Sequence, residues 1–127
     1  MMIYFRTDHK LYTQALGSAR SKSERIAAAT SSPEEMPASY AYYLADDLLS
    51  GYGVAGDGTL VGVFSLEKGR GDDLIWSAIL HHGADRLDCF DGYLNQELYP
   101  RFGFSEYERV PNWTPGEPDV VFMRLNV

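Results

Sequence analysis

The stretch from Thr59 to Phe90 restricts this chain more than any other. A strand-like run over 59–66 feeds the turn Lys68-Gly69-Arg70-Gly71, and an apolar-periodic helix follows at once. Leu74, Ile75, Ala78 and Ile79 share one face of that helix, and His81-His82-Gly83 ends it with a glycine where a left-handed stop belongs. Arg86 to Phe90 is a second short strand. The expectation is therefore two neighbouring parallel strands, 59–66 and 86–90, joined by a right-handed crossover helix over 72–82. A glycine turn opening a helix also leaves main-chain N–H groups free to point at a phosphate, with the helix dipole favouring negative charge.

The remainder fills out a mixed domain. The short apolar run Met1 to Phe5 suits a first strand. Residues 8–29 read as helical with a break near Gly17 and Ser18, Ser23 capping the second piece. Ser32 caps a fresh helical start at Pro33-Glu34-Glu35. Ser39 to Leu49 reads mostly as helix or loop, because Tyr40, Tyr43 and Leu44 share a helical face, although tyrosines also favour strands. Gly56-Asp57-Gly58 is a hairpin signal between Tyr52-Gly53-Val54 and the run from Thr59 to Phe64. Gly92 to Arg101 reads as a second helix interrupted by Pro100. Phe104 to Val110 and Val120 to Leu125 are closing strands joined by the loop Pro111 to Pro118. One crossover set among antiparallel strands makes the chain α+β.

The order of elements from 59 to 104, ending in Tyr99-Pro100-Arg101-Phe102-Gly103-Phe104, resembles the coenzyme-A-binding half of the GNAT acyltransferase superfamily. Leu87-Asp88-Cys89-Phe90-Asp91-Gly92-Tyr93-Leu94 and the tail Gly116 to Met123 resemble its small phage and prophage branch. The resemblance covers roughly residues 48–125. It implies one GNAT-like domain over 1–127: a mixed, mostly antiparallel central sheet with helices on both faces and one splayed parallel pair. In that superfamily a glycine-bearing turn holds the pyrophosphate of acetyl-CoA, which implies cofactor-binding roles for Leu66, Lys68, Gly69, Arg70, Gly71 and Asp72. The superfamily pattern is Arg/Gln-x-x-Gly-x-Gly/Ala, of which this turn is a shortened version. Read as bare residues, the same glycines also suit a flexible strand-to-helix turn. Asp72 and Asp73 fit a helix start but bring negative charge to a diphosphate, which Lys68 and Arg70 would offset.

Tyr99 matches the tyrosine four residues before the family's Gly-Phe pair, implying a general acid for the departing thiolate. A phenol donates that proton without being ionised at pH 7. Pro100 disfavours helical geometry at Tyr99, and Gly92 stands where the family often has asparagine. An attacking amine needs a base, for which Glu67 at the end of the first strand and Asp88 and Asp91 beside the second are the candidates. A main-chain N–H near Leu66 is expected to polarise the thioester carbonyl. Cys89, in a strand between apolar neighbours, reads as a small buried residue rather than a nucleophile. Leu87, Val61 and Val63 are expected to be buried with it. His81 and His82 suit the negative end of a helix, with no cluster around them to suggest a metal. No Gly-x-Ser-x-Gly elbow is present, which argues against a serine hydrolase. Trp76 reads as a core residue and Trp113 as a loop anchor.

At 127 residues the chain is long enough for one hydrophobic core. A net charge of −7 repels a nucleic-acid backbone and suits an amine-bearing substrate or plain solubility. No run is long and apolar enough for a membrane span, and the first residues do not read as a signal peptide. A single cysteine agrees with a reducing cytoplasm, the host's if the chain is phage-encoded. Two functions compete. One is an acyl-CoA-dependent N-acyltransferase moving an acetyl group to an amine on a small molecule or protein. The other is a catalytically silent protein of the same fold that binds and modulates a host protein. The residues carry no sign of the acceptor, the partner or the oligomeric state.

Overall fold

The computed structural model describes residues 2–126, so Met1 of the expected first strand lies outside the described residues. The chain forms two compact units, Met1–Ala84 and Asp85–Val127.

The first unit is a four-stranded antiparallel sheet: β1 (Tyr4–Thr7), β2 (Ala41–Ala45), β3 (Ser50–Val54) and β4 (Thr59–Ser65), each paired to the next in chain order. Its helices are α1 (His9–Lys22), α2 (Glu24–Ala29) and α3 (Gly71–His82), with a 3-10 turn at Pro33–Glu35. Asp8 caps α1 by accepting from the Leu11 N–H at 2.7 Å. Helix α1 runs unbroken through Gly17, and the break falls at Ser23, whose hydroxyl caps α2. A single helical glycine costs about 1 kcal/mol relative to alanine, too little to end a helix that buries Tyr12, Leu16 and Ala19. Ser32 and Glu35 form the reciprocal cap expected before Pro33.

Strand β2 corrects the helix-or-loop reading of 39–49. Tyr42 and Leu44 face α1, where Tyr12 stacks on Tyr42 at 4.3 Å between centroids; Tyr43 and Ala45 face the other way. That side carries Tyr4 and Tyr52, and it receives α3 through Ser77 and His82. Period-two alternation with both faces covered gives five aromatic or apolar residues in a row, which hides the strand from a helical template. Strand β3 carries glycines where the rings cross it: a Cβ on Gly53 would sit 2.7 Å from Tyr42, and one on Gly51 2.5 Å from the Tyr43 carbonyl.

The expectation for Val61 and Val63 also needs correction. Leu60 and Phe64 are the buried residues of β4, while Val61 and Val63 are half-buried. The register slips between Gly51 and Gly53, and Gly62 adopts φ 57°, so the simple alternation is lost. Trp76, expected in the core, is 42% exposed.

The second unit is a three-stranded antiparallel sheet of β5 (Arg86–Phe90), β6 (Phe104–Val110) and β7 (Val120–Leu125), with β7 between the other two. Leu87, Val121 and Met123 are buried, while Cys89 is only half-buried. The expected helix over 92–101 is instead a π-helical turn, Leu94–Leu98, followed by a 3-10 turn, Tyr99–Phe102. Pro100 has no N–H to continue an α-helical ladder, and the change of turn absorbs that loss.

Gly62 is a sharp test of the first core. The Tyr12 hydroxyl donates to its carbonyl at 2.6 Å, and a Cβ there would lie 2.1 Å from the same oxygen. Gly62→Ala is expected to cost about 2–4 kcal/mol in denaturant unfolding, from the left-handed backbone and the displaced ring. Adding Tyr12→Phe should recover part of that loss.

Candidate functional site

The turn joining β4 to α3 and the first two residues of α3 contain all of the residues expected to hold a diphosphate. Gly69 sits at φ 84° with open space around it, and Gly71, the first helical residue, has nothing within 4 Å of a Cβ position. Arg70 occupies the cap position, and its side chain makes no capping hydrogen bond to the start of the helix. The first helical bond is from the Leu74 N–H to the Arg70 carbonyl at 2.9 Å, so the amides before it have no acceptor within the helix. Lys68 and Asp72 are exposed. The Asp73 carboxylate accepts from the Met2 N–H at 3.2 Å.

Two of the expected roles meet partners already in place. The Leu66 N–H donates to the Leu49 carbonyl at 2.8 Å and is not free to polarise a substrate carbonyl. The Arg70 guanidinium grips the Asp47 carboxylate, with Nη1 to Oδ1 at 3.0 Å, and reaches the Ser50 hydroxyl at 3.0 Å. Ser50 Oγ is in turn 2.9 Å from the Tyr4 hydroxyl. Arg70 and the Leu49 N–H hold the Asp47 carboxyl down at about 2. Asp47, Leu49 and Ser50 went unnoticed in the sequence because two acidic residues in a turn read as ordinary solvated loop. Glu67 lies two residues past the end of β4, exposed, in a local turn where the Ser65 hydroxyl donates to its carbonyl at 2.6 Å.

In the second unit, the structure brings Tyr99, Asp88 and Cys89 close enough for their charges to interact. Tyr99 is 6% exposed, meets Phe104 edge-on at 5.8 Å, and its hydroxyl has no hydrogen-bond partner among the described residues. Its backbone is helical, φ −65° and ψ −33°, contrary to the expectation from Pro100; the widened turn before it makes room for the proline ring. Burial first, then Cys89 and Asp88, raise the phenol well above its ordinary value, so it stays protonated. Asp88 is exposed at its surface, yet partial desolvation of its carboxyl raises it above the usual range. Burial and neighbouring carboxylates push the Cys89 thiol up to about 11, which disfavours the thiolate a nucleophile needs.

Asp91 is committed elsewhere. It pairs with Arg109 at 3.0 Å and accepts from the Asn95 and Gln96 amides at 2.9 and 3.1 Å, which holds it at about 2. His82 stacks on Tyr43 at 3.7 Å, with Nδ1 2.6 Å from the Tyr52 hydroxyl, a packing role at the helix end. Among the described residues no group of three or more His, Cys, Asp or Glu is placed to hold a metal.

No family model matches the sequence, and no curated protein is detectably similar to it. A solved structure is similar in fold: an acyl-CoA N-acyltransferase from Pseudomonas aeruginosa, 16% identical, matched over 99% of this chain and 100% of that one with a TM-score of 0.64. The fold is thus the α+β one of an acyl-CoA N-acyltransferase, mixed and mostly antiparallel.

The two carboxylates near β5 should titrate on opposite sides of 3.8 when followed by carboxyl NMR, Asp88 above it and Asp91 near 2. Asp91's pairing stabilises the fold fully above pH 3.8 and is lost as pH falls toward 2; partial desolvation of the Asp88 carboxyl destabilises as pH rises from 3.8 through its folded value. Asp91→Asn should therefore flatten the acid limb of the stability curve, and Asp88→Asn should raise stability at neutral pH.

Proposed function

We propose that this chain is an acyl-CoA-dependent N-acyltransferase, one domain over 1–127, that moves an acyl group, acetyl in the simplest case, to an amine. The observation that carries the reading is an acyltransferase fold matched end to end, in which the strand-to-helix turn keeps an uncapped helix start and two unobstructed glycines. Amides without helical acceptors and space for close approach are what a diphosphate requires. The fit has a cost, since Glu67, Asp72 and Asp73 crowd the turn with negative charge and Lys68 is left to counter it.

In this reading Gly69 and Gly71 let the diphosphate approach the amides at the start of α3. The acceptor amine attacks the thioester carbonyl directly, which requires no protein nucleophile and agrees with a Cys89 thiol held at about 11. Tyr99, kept neutral by burial, is the acid that protonates the departing thiolate. Asp88 has the raised carboxyl basicity that suits a proton acceptor; Glu67 is the alternative, exposed and ordinary in its surroundings.

The second reading, a catalytically silent protein of this fold that docks on another protein, is favoured by one specific fact: the Leu66 N–H and the Arg70 guanidinium are both taken by internal partners. Calorimetric titration with acetyl-CoA separates the two. Binding supports the transferase; no heat at millimolar ligand leaves the docking protein.

Gly71→Pro removes one first-turn amide at a position proline tolerates, and Gly71→Glu adds repulsive charge. Both variants should stay folded by circular dichroism and lose acetyl-CoA binding. Tyr99→Phe keeps the ring and removes only the proton, so turnover should fall by about 10–100-fold with acetyl-CoA affinity little changed. Undiminished turnover in that variant would assign the proton to water or another group.

A further inference from the structure

Both ends of the turn from Leu66 to Arg70 are held by one short loop, the connection between β2 and β3. At the first end the Leu49 carbonyl accepts from the Leu66 N–H at 2.8 Å. At the other the Asp47 carboxylate and the Ser50 hydroxyl take the Arg70 guanidinium. The loop is tensed for this task. Its Leu48 stands at φ 63°, the only non-glycine residue with positive φ among those described, and the Leu48 N–H closes a tight turn onto Ala45 at 3.0 Å. Asp47 Oδ1 also accepts from the Leu49 N–H at 3.0 Å, which ties the carboxylate that holds Arg70 to the residue that holds Leu66. Ser50, fully buried, is braced from behind by the Tyr4 hydroxyl. Between the two anchors, Glu67, Lys68 and Gly69 are exposed.

We infer that Asp47 is a positioning residue: through Arg70 it clamps the 66–70 turn in the shape that presents the first amides of α3. Arg70 is then part of the scaffold rather than a ligand of the diphosphate. The inference rests on the acyl-CoA reading above and reassigns one residue within it. A charge-assisted fork between a planar guanidinium and a carboxylate fixes direction as well as distance, whereas Lys68, without an anchor, fixes neither.

The test is Asp47→Asn, which keeps an acceptor for the Leu49 N–H and removes the charge that orients Arg70. Acetyl-CoA affinity by calorimetry should fall about tenfold, and amide hydrogen exchange at Leu66 and Leu74, whose N–H groups donate to the Leu49 and Arg70 carbonyls, should rise by about the same factor, with strand β3 unchanged. If an amine is acetylated, KM for acetyl-CoA should rise while kcat holds. Arg70→Ala should reproduce these effects, and the double variant should be no worse than either single one, since the two residues act as one unit.

Tighter acetyl-CoA binding in Asp47→Asn would overturn the inference, because it would show Arg70 to be a diphosphate ligand that Asp47 sequesters. Unchanged exchange at Leu66 and Leu74 would overturn it as well, whatever the affinity. A wild-type protein that fails to bind acetyl-CoA would overturn the transferase reading and the purpose of the clamp with it. The exchange measurement reads the clamp without ligand, so the two failures are distinguishable.

Discussion

A tyrosine ring fills a core most favourably when its hydroxyl finds a partner there, and the first unit is organised around four that do. Tyr12 donates to the Gly62 carbonyl and Tyr42 to the Pro37 carbonyl, both on the α1 side of the sheet. Tyr52 meets Ser77 and His82, and Tyr4 meets Ser50, on the α3 side. An unpaired buried hydroxyl costs about 1–3 kcal/mol, so the Tyr12 and Tyr52 pairings each select one register of helix on sheet, while Tyr4 ties two strands together and Tyr42 fixes the loop at Pro37. The remaining features follow from these rings: Gly53 in β3 where Tyr42 crosses it, the left-handed Gly62 beneath Tyr12, and a serine in α3 facing Tyr52. Burial raises all four phenols above their ordinary values, so none ionises near neutral pH.

The same demand for partners shapes the candidate site. Helix α3 is fastened to the sheet at both ends, by Arg70 with Asp47 and Ser50 at its start and by His82 with Tyr52 and Tyr43 at its finish. Its first-turn amides are thereby aimed by groups that need not touch a ligand. Charge in the first unit is divided accordingly: the cation of the turn sequence closest to the helix is consumed in structure, and the open ground at the turn belongs to main-chain N–H groups and glycines. In the second unit the division is between Asp91, stabilised in its ionised form by Arg109 and two amides, and Asp88, whose surroundings disfavour charge. Two carboxylates three residues apart thus have opposite electrostatic characters, the usual outcome when environment rather than residue type assigns roles.

Much of this was legible in the order of residues. The Asp57-Gly58 hairpin, the glycine-led helix over 71–82 with its Gly83 stop, the caps at Ser23 and Ser32 and the α+β class depend on local rules, because turns, caps and periodicity are decided by neighbours a few residues away. Other features were not legible, for reasons that can be named. β2 looked helical because a strand covered on both faces loses its alternation. Val61 and Val63 were expected inside because a bulge cannot be seen without its partner strand. Tyr99 was expected to be pushed out of helical geometry because the π-helical turn that accommodates Pro100 depends on packing around Asn95 and Phe102.

The amino-acid sequence by itself determined the elements, their order and the cluster of residues at one strand-to-helix turn. Only the tertiary structure decided what those residues are free to do. Whether Arg70 meets a ligand or Asp47, whether the Leu66 N–H is open or bonded to Leu49, and whether Asp91 is held ionised depend on groups four to twenty-three positions away along the chain. Hydrogen bonds and ion pairs saturate: a donor that has found one partner is withdrawn from every other, and the choice is made by proximity in space.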